Sequence, residues 1–193
     1  MMKRHTKLLA ALAVGAALAG CAGSAPDKAA LTAEQTQLYT AQRADIDVSA
    51  VAEGSRGRKV SAEEIKAALE SRSNLVKWRG GRTEAVVSIK VTSVNILSAG
   101  QSMMLGGESV MLGTVALLDA RSGEPIVAPI EISSGGGGYY AGGIIGVMSL
   151  EDKNTELEQL AQQFMTRARL ALTGPTTTAQ TNIQEAKDGK GKV

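Results

Sequence analysis

The stretch from Glu108 to Asp119 constrains the fold more than any other, because it is apolar on both of its alternating rows. Val110, Leu112, Ala116 and Leu118 make one row; Met111, Val115 and Leu117 make the other. Such a strand belongs inside a sheet, covered on both sides. Glu84 to Leu97 is β-branched and alternating, with Val87, Ile89 and Val91 in one row before the apolar set moves to Val94 and Ile96. That slip predicts a bulge or strong twist near Ser93. Asp119-Ala120-Arg121-Ser122-Gly123-Glu124 supplies turn residues, and Ile126 to Ile132 the returning strand of a hairpin. Pro129 has no amide to donate, which predicts an edge or bulged position for that strand. Upstream, Ala44 to Val51 alternates apolar and polar residues and reads as a half-buried strand.

Two helices complete the pattern. Ser61-Ala62-Glu63-Glu64 is a capping box, followed by Ile65, Ala68, Leu69 and then Leu75 or Val76 at helical spacing. It predicts a helix from Ala62 to about Ser73. Leu157, Leu160, Ala161, Phe164, Ala168 and Ala171 mark one face of a longer helix that Gly174-Pro175 ends. Thr32 with Gln35 predicts a further helical turn or two between Leu31 and Tyr39. The expected fold is α+β: a two-layer sandwich with a mostly antiparallel sheet of about four strands and two amphipathic helices on one face. The expected domain runs over residues 43–174, preceded by a flexible tether over 21–42 and followed by a polar tail over 175–193.

The N-terminus is a separate unit. Lys3, Arg4 and Lys7 precede an apolar run from Leu8 to Leu18, which has the layout of a secretory signal peptide. The run is too short to span a bilayer, since ~20 apolar residues are needed for ~30 Å of hydrocarbon. Leu18-Ala19-Gly20-Cys21 resembles the lipobox of bacterial lipoproteins, an aliphatic residue and two small ones before a cysteine. The resemblance implies cleavage between Gly20 and Cys21, a diacylglycerol thioether on Cys21 and palmitate-type acylation of the new amine. Two or three chains hold a protein where a single one gives only reversible binding. Ala22 after the cysteine resembles an outer-membrane destination, with inner-membrane retention the alternative.

Removing residues 1–20 also removes chemistry. The only histidine, His5, leaves with the signal, and the only cysteine is consumed by the anchor. The mature chain therefore has no disulfide, no thiolate nucleophile, no His/Cys zinc site and no Ser-His-Asp triad. Lys3, Arg4 and Lys7 go too, so 18 of the 21 Lys and Arg face 19 Asp and Glu, a formal −1. No global field points to nucleic acid. No cofactor motif is expected: the glycines from Gly135 to Gly143 complete neither a Walker loop nor G-x-G-x-x-G. Asp45 and Asp47 share a strand face, but nothing singles out a catalytic carboxylate pair. Met103, Met104 and Met111 read as gap-filling apolar residues, with soft copper as the alternative use of such a cluster.

Two places remain for contacts. Lys77-Trp78-Arg79-Gly80-Gly81-Arg82, with Arg56-Gly57-Arg58-Lys59 upstream, is the local basic concentration. There Trp78, Arg79 and Arg82 either stack on a ligand or meet lipid headgroups, or Trp78 simply folds onto the core. Glu63, Glu64 and Glu70 are expected to neutralise part of this patch. Tyr139 and Tyr140, in the glycine-rich stretch, offer aromatic anchors unless that stretch is only a linker.

The segments Val76-Lys77-Trp78-Arg79-Gly80, Asp119-Ala120-Arg121-Ser122-Gly123 and Gly135 to Gly143 are similar to those of small alphaproteobacterial envelope lipoproteins. That family carries no assigned activity, so the resemblance implies a location and a fold class only. The expectation is a non-enzymatic, membrane-anchored periplasmic lipoprotein that binds an envelope protein or self-associates. A glycan- or lipid-binding accessory built on Trp78, Arg79 and Arg82 is the alternative.

Overall fold

A computed structural model describes residues 28–51, 57–104, 107–135 and 150–175. The elements are α1 (Ala33–Leu38), β1 (Tyr39–Asp47), α2 (Ala62–Ser71), a 3-10 turn (Ser73–Val76), β2 (Thr83–Asn95), α3 (Ala99–Met104), β3 (Val110–Asp119), β4 (Pro125–Ser134) and α4 (Lys153–Thr173). The strands form one sheet in the order β1-β2-β3-β4. The β1–β2 pair is parallel and the other two are antiparallel. A parallel pair needs a crossover, which here contains α2 and the 3-10 turn. This is the α+β architecture that the periodicities predict.

Local chemistry explains the boundaries. Ser61 Oγ accepts from the Glu64 amide at 3.1 Å, and the Glu64 carboxylate accepts from the Ser61 amide at 2.8 Å, closing the capping box of α2. Asp152 caps α4, accepting from the Thr155 amide at 3.0 Å. Gly174 ends α4 with φ of 71°, a conformation that favours glycine. The β2–β3 register shifts between Val91 and Ser93, where the sequence slips. β4 is an edge strand whose register is irregular across Pro129.

The core lies between the sheet and the helices. α4 packs across β3 and β4, and α2 packs against α4 and β1. Leu157, Leu160, Ala161, Phe164, Met165, Ala168, Ala171 and Leu172 of α4 are all buried. They meet Val87, Ile89 and Val91 of β2 and Met111, Val115 and Leu117 of β3. Phe164 is fully buried, and a Cβ on Gly113 would lie 3.0 Å from its ring tip, so that glycine makes room for the ring.

Three expectations need correction. Residues 30–42 are fold, not tether: β1 begins at Tyr39, and the Ala30 and Leu31 amides donate to Ala171 and Leu172 carbonyls, each at 2.9 Å. Those are among the last carbonyls of α4, which have no partner within the helix. Leu31 is buried with them. The second row of β3 is not sealed as a central strand's should be. Leu112 is 43% exposed, while Val110, Thr114 and Leu118 are only half-buried. Ala116 of this row is buried, as is Val86 of β2, the cross-strand partner of Leu118, although among the described residues no second helix layer covers it. Met103 and Met104 do not fill gaps, being 56% and 82% exposed at the end of α3, whereas Met111 is sealed in the core.

Phe164→Ala is expected to lower the unfolding free energy by about 3–5 kcal/mol in urea titrations, and Leu112→Ala by under about 1 kcal/mol. Equal effects would mean that the sheet's other row is the core.

Candidate functional site

The sheet has two chemically distinct ends, and the sequence-predicted residues divide between them. At one end, Trp78 joins a backbone bridge with Ala41, which closes part of the free edge of β1. Its indole is only 7% exposed. Its Nε1 donates to the Thr36 carbonyl at 3.3 Å, and the Arg169 guanidinium lies 4.5 Å from the ring centroid. Burial pushes the Arg169 pKa below the usual arginine value, and the indole face supplies a compensating attraction. Trp78 therefore takes the core position, with one face under Arg169 and its ring nitrogen bonded. A sugar ring cannot stack on it without unseating Arg169.

Arg79 and Arg82 are exposed on the loop that follows Trp78. That loop is tied down: the Thr40 hydroxyl donates to the Gly81 carbonyl at 2.7 Å and accepts from the Gly80 amide at 3.0 Å. The two glycines are required by close approach. A Cβ on either would lie 2.7 Å from a carbonyl oxygen of α1, that of Thr36 for Gly80 and of Gln37 for Gly81. Among the described residues no ion pair involves Arg79 or Arg82.

The expected basic concentration is split. Arg58 lies at the opposite end, where its Nε donates to the Leu97 carbonyl at 2.9 Å and its Nη1 to the Glu151 carbonyl at 2.7 Å. Its Nη2 pairs with Glu156, whose other oxygen accepts from the Ser109 hydroxyl. Ser109 Oγ accepts in turn from the Leu97 amide at 2.8 Å. This closed network clamps the exits of β2 and β3 to the first turn of α4. Both carboxylate oxygens are engaged, so the arrangement positions elements and offers no free base. Glu64 pairs with Lys153 at 2.7 Å and Glu70 approaches Lys66 at 3.9 Å, so neither neutralises Arg79 or Arg82.

Glu156 and Ser109 are residues that pattern reading missed. The signal was present: Glu156 stands in the apolar stripe, four residues before Leu160 and eight before Phe164. A carboxylate in that register must be paired when buried. α3 was also missed, although Ser98 and Gln101 form a third capping-box pair: the Ser98 amide donates to the Gln101 side chain at 3.0 Å, and the Gln101 amide to Ser98 Oγ at 3.2 Å.

Gly20, Cys21, Arg56, Tyr139 and Tyr140 lie outside the described residues. The stretch that carries the two tyrosines leaves the Arg58 end of the sheet, at Gly135, whose carbonyl accepts from Arg167 Nη2 at 3.3 Å. Among the described residues no group of three or more His, Cys, Asp or Glu could hold a metal ion. No helix of the described part is long and apolar enough to cross a membrane.

No family model and no curated protein matches the chain. Several solved structures are similar to the chain, three of them as follows. The PelC dodecamer from Paraburkholderia phytofirmans is 11% identical and covers 69% of this chain and 91% of its own, with a TM-score of 0.34. A DUF330 protein from Xanthomonas campestris is 12% identical over 84% of this chain and 96% of its own, with a TM-score of 0.39. A protein from Caulobacter crescentus described as a candidate lipoprotein is 15% identical over 76% and 92%, with a TM-score of 0.23. Neither these identities nor the TM-scores place the chain in a family.

Two outcomes test the clamp and the helix caps. Glu156→Gln is expected to cost about 1–3 kcal/mol, less than a fully buried pair, because the Arg58 side chain keeps 24% exposure against 7% for Glu156. Adding Arg58→Met should recover part of the loss in a double-mutant cycle. The Thr155 amide and hydroxyl hold the Asp152 carboxyl below its usual value of 3.8; the Lys153 ammonium and the Ser61 amide hold Glu64 below 4.5. The unfolded chain takes up these protons at higher pH than the folded one. Their stabilisation is therefore complete above the usual carboxylate range and is lost as pH falls through the lower folded values. Asp152→Asn keeps a capping oxygen and should flatten that acid limb in thermal melts.

Proposed function

We propose that the chain is a lipid-anchored envelope protein whose domain serves as a non-catalytic binding or assembly component. We place it on the periplasmic side of the outer membrane, held through acylated Cys21. The observation that carries this reading is Leu18-Ala19-Gly20-Cys21 at the end of a short apolar run, seven residues before the described fold begins at Lys28. The chemistry of the domain supports it. The buried carboxylate of Glu156 is consumed by Arg58 and Ser109, and the mature chain has no histidine. At the Arg58 end of the sheet, Met103 and Met104 present exposed apolar surface of the adaptable kind that protein contacts use. Tyr139 and Tyr140, outside the described residues, follow Gly135 in sequence and are the aromatic anchors of the proposal. A partner protein or a second copy is the occupant we assign to it.

The accessory reading, a glycan or lipid ligand at Trp78, Arg79 and Arg82, keeps only its two arginines. The Trp78 ring is buried beneath Arg169, which leaves charge contacts and removes sugar stacking.

Cys21→Ser is expected to abolish incorporation of labelled palmitate and to leave uncleaved precursor, as globomycin does in the wild type. Unchanged processing and fractionation would overturn the anchor. A photo-crosslinking residue at position 104 is expected to trap protein in cells; the absence of any adduct would remove the assembly role at that end.

A further inference from the structure

The described fold places the path to the anchor and a basic, partly apolar surface at the same end. The amides of Ala30 and Leu31 are bonded to the last turn of α4, and a Cβ on Gly174 would lie 3.2 Å from Ala29 Cβ. Only seven residue steps separate Cys21 from Lys28, which fully extended reach about 25 Å. The C-terminal end of α4 and everything beside it must therefore stay close to whatever surface holds Cys21. A sheet with strands of ten residues adds about 33 Å before its opposite end is reached.

Beside that end of α4 sit α1 and the Arg79–Arg82 loop. Leu38, at the last position of α1, is 57% exposed. Gly80 and Gly81 press the loop against residues 36–39, so Arg79 and Arg82 are presented next to Leu38. Trp78, locked under Arg169 and bonded to Thr36, holds the loop rigid from behind. The Glu34 amide and the Thr32 hydroxyl hold the carboxyl of Glu34, also on α1, below its usual value. An apolar side chain flanked by two cations with no described carboxylate partner matches a bilayer interface, with phosphates above and acyl chains below.

We propose that this end of the domain lies directly on the membrane, with Leu38 entering the boundary between headgroups and acyl chains, and Arg79 and Arg82 binding lipid phosphates. The inference rests on acylation at Cys21 and deepens that reading by fixing the orientation. α3, Met103 and Met104 then point away from the bilayer.

Trp78 is the only tryptophan, so its emission reports this end of the molecule. The acylated full-length protein is reconstituted in phosphatidylglycerol vesicles that carry a headgroup nitroxide, and flotation and tryptophan quenching are read together. The expected result is co-flotation with at least threefold quenching. The Leu38→Ser, Arg79→Ser, Arg82→Ser triple variant should float equally well but lose most of that quenching. Met104→Ser should change neither readout. A protein that floats without quenching, or a triple variant quenched as strongly as the wild type, overturns the orientation alone. A wild type that fails to float overturns the anchor and the orientation with it. Since all three positions are exposed, an Arg79→Glu, Arg82→Glu pair offers a second variant, with the same expected loss of quenching.

Discussion

The apolar stripe of α4 against the sheet is the contact on which the rest of the structure depends. It buries Phe164, Met165 and Leu172 completely, and the helix is fastened at both ends by different chemistry. At its start, Asp152 caps the first turn and Glu156 is gripped by Arg58 and Ser109. At its finish, Gly174 breaks the helix and the incoming strap donates two amides to its last turn. Without the stripe, neither the strap nor the clamp has anything to hold.

Those two fastenings give the domain two chemically different ends. The strap ties the chain that follows Cys21 to the C-terminal end of α4, so the proposed anchor would sit at that end. The clamp gathers the loops at the other end, where the exposed methionines lie. In the proposed role the domain would hold one surface at a fixed distance and orientation from a bilayer and present another to a partner.

Much of the fold was legible because short-range rules wrote it. The capping boxes at Thr32 and Ser61, the slip at Ser93, the edge proline at 129 and the α4 stripe each act within a few residues. The alternation from Ala44 places the start of β1 five residues late, since the strand begins at Tyr39, for an identifiable reason. Its pairing with β2 shifts register between Ala41 and Arg43, which resets the alternation, so a period-two test sees only the second half. β3 looked doubly covered because its outer row is apolar, yet among the described residues no second helix layer covers that row. Of the site, only Trp78, Arg79 and Arg82 could be singled out locally. The partners that decide their roles, Arg169 over the ring and Thr40 beneath the loop, are distant in sequence and carry no local signature.

The proposed orientation requires the strap to be part of the domain, which keeps the path from Cys21 to the fold short. Amide hydrogen exchange at Ala30 and Leu31 reads this directly. Exchange as slow as that of the α4 interior, released only by global unfolding, is the predicted result. Exchange at the rate of an unstructured peptide would show a long free tether and contradict the picture.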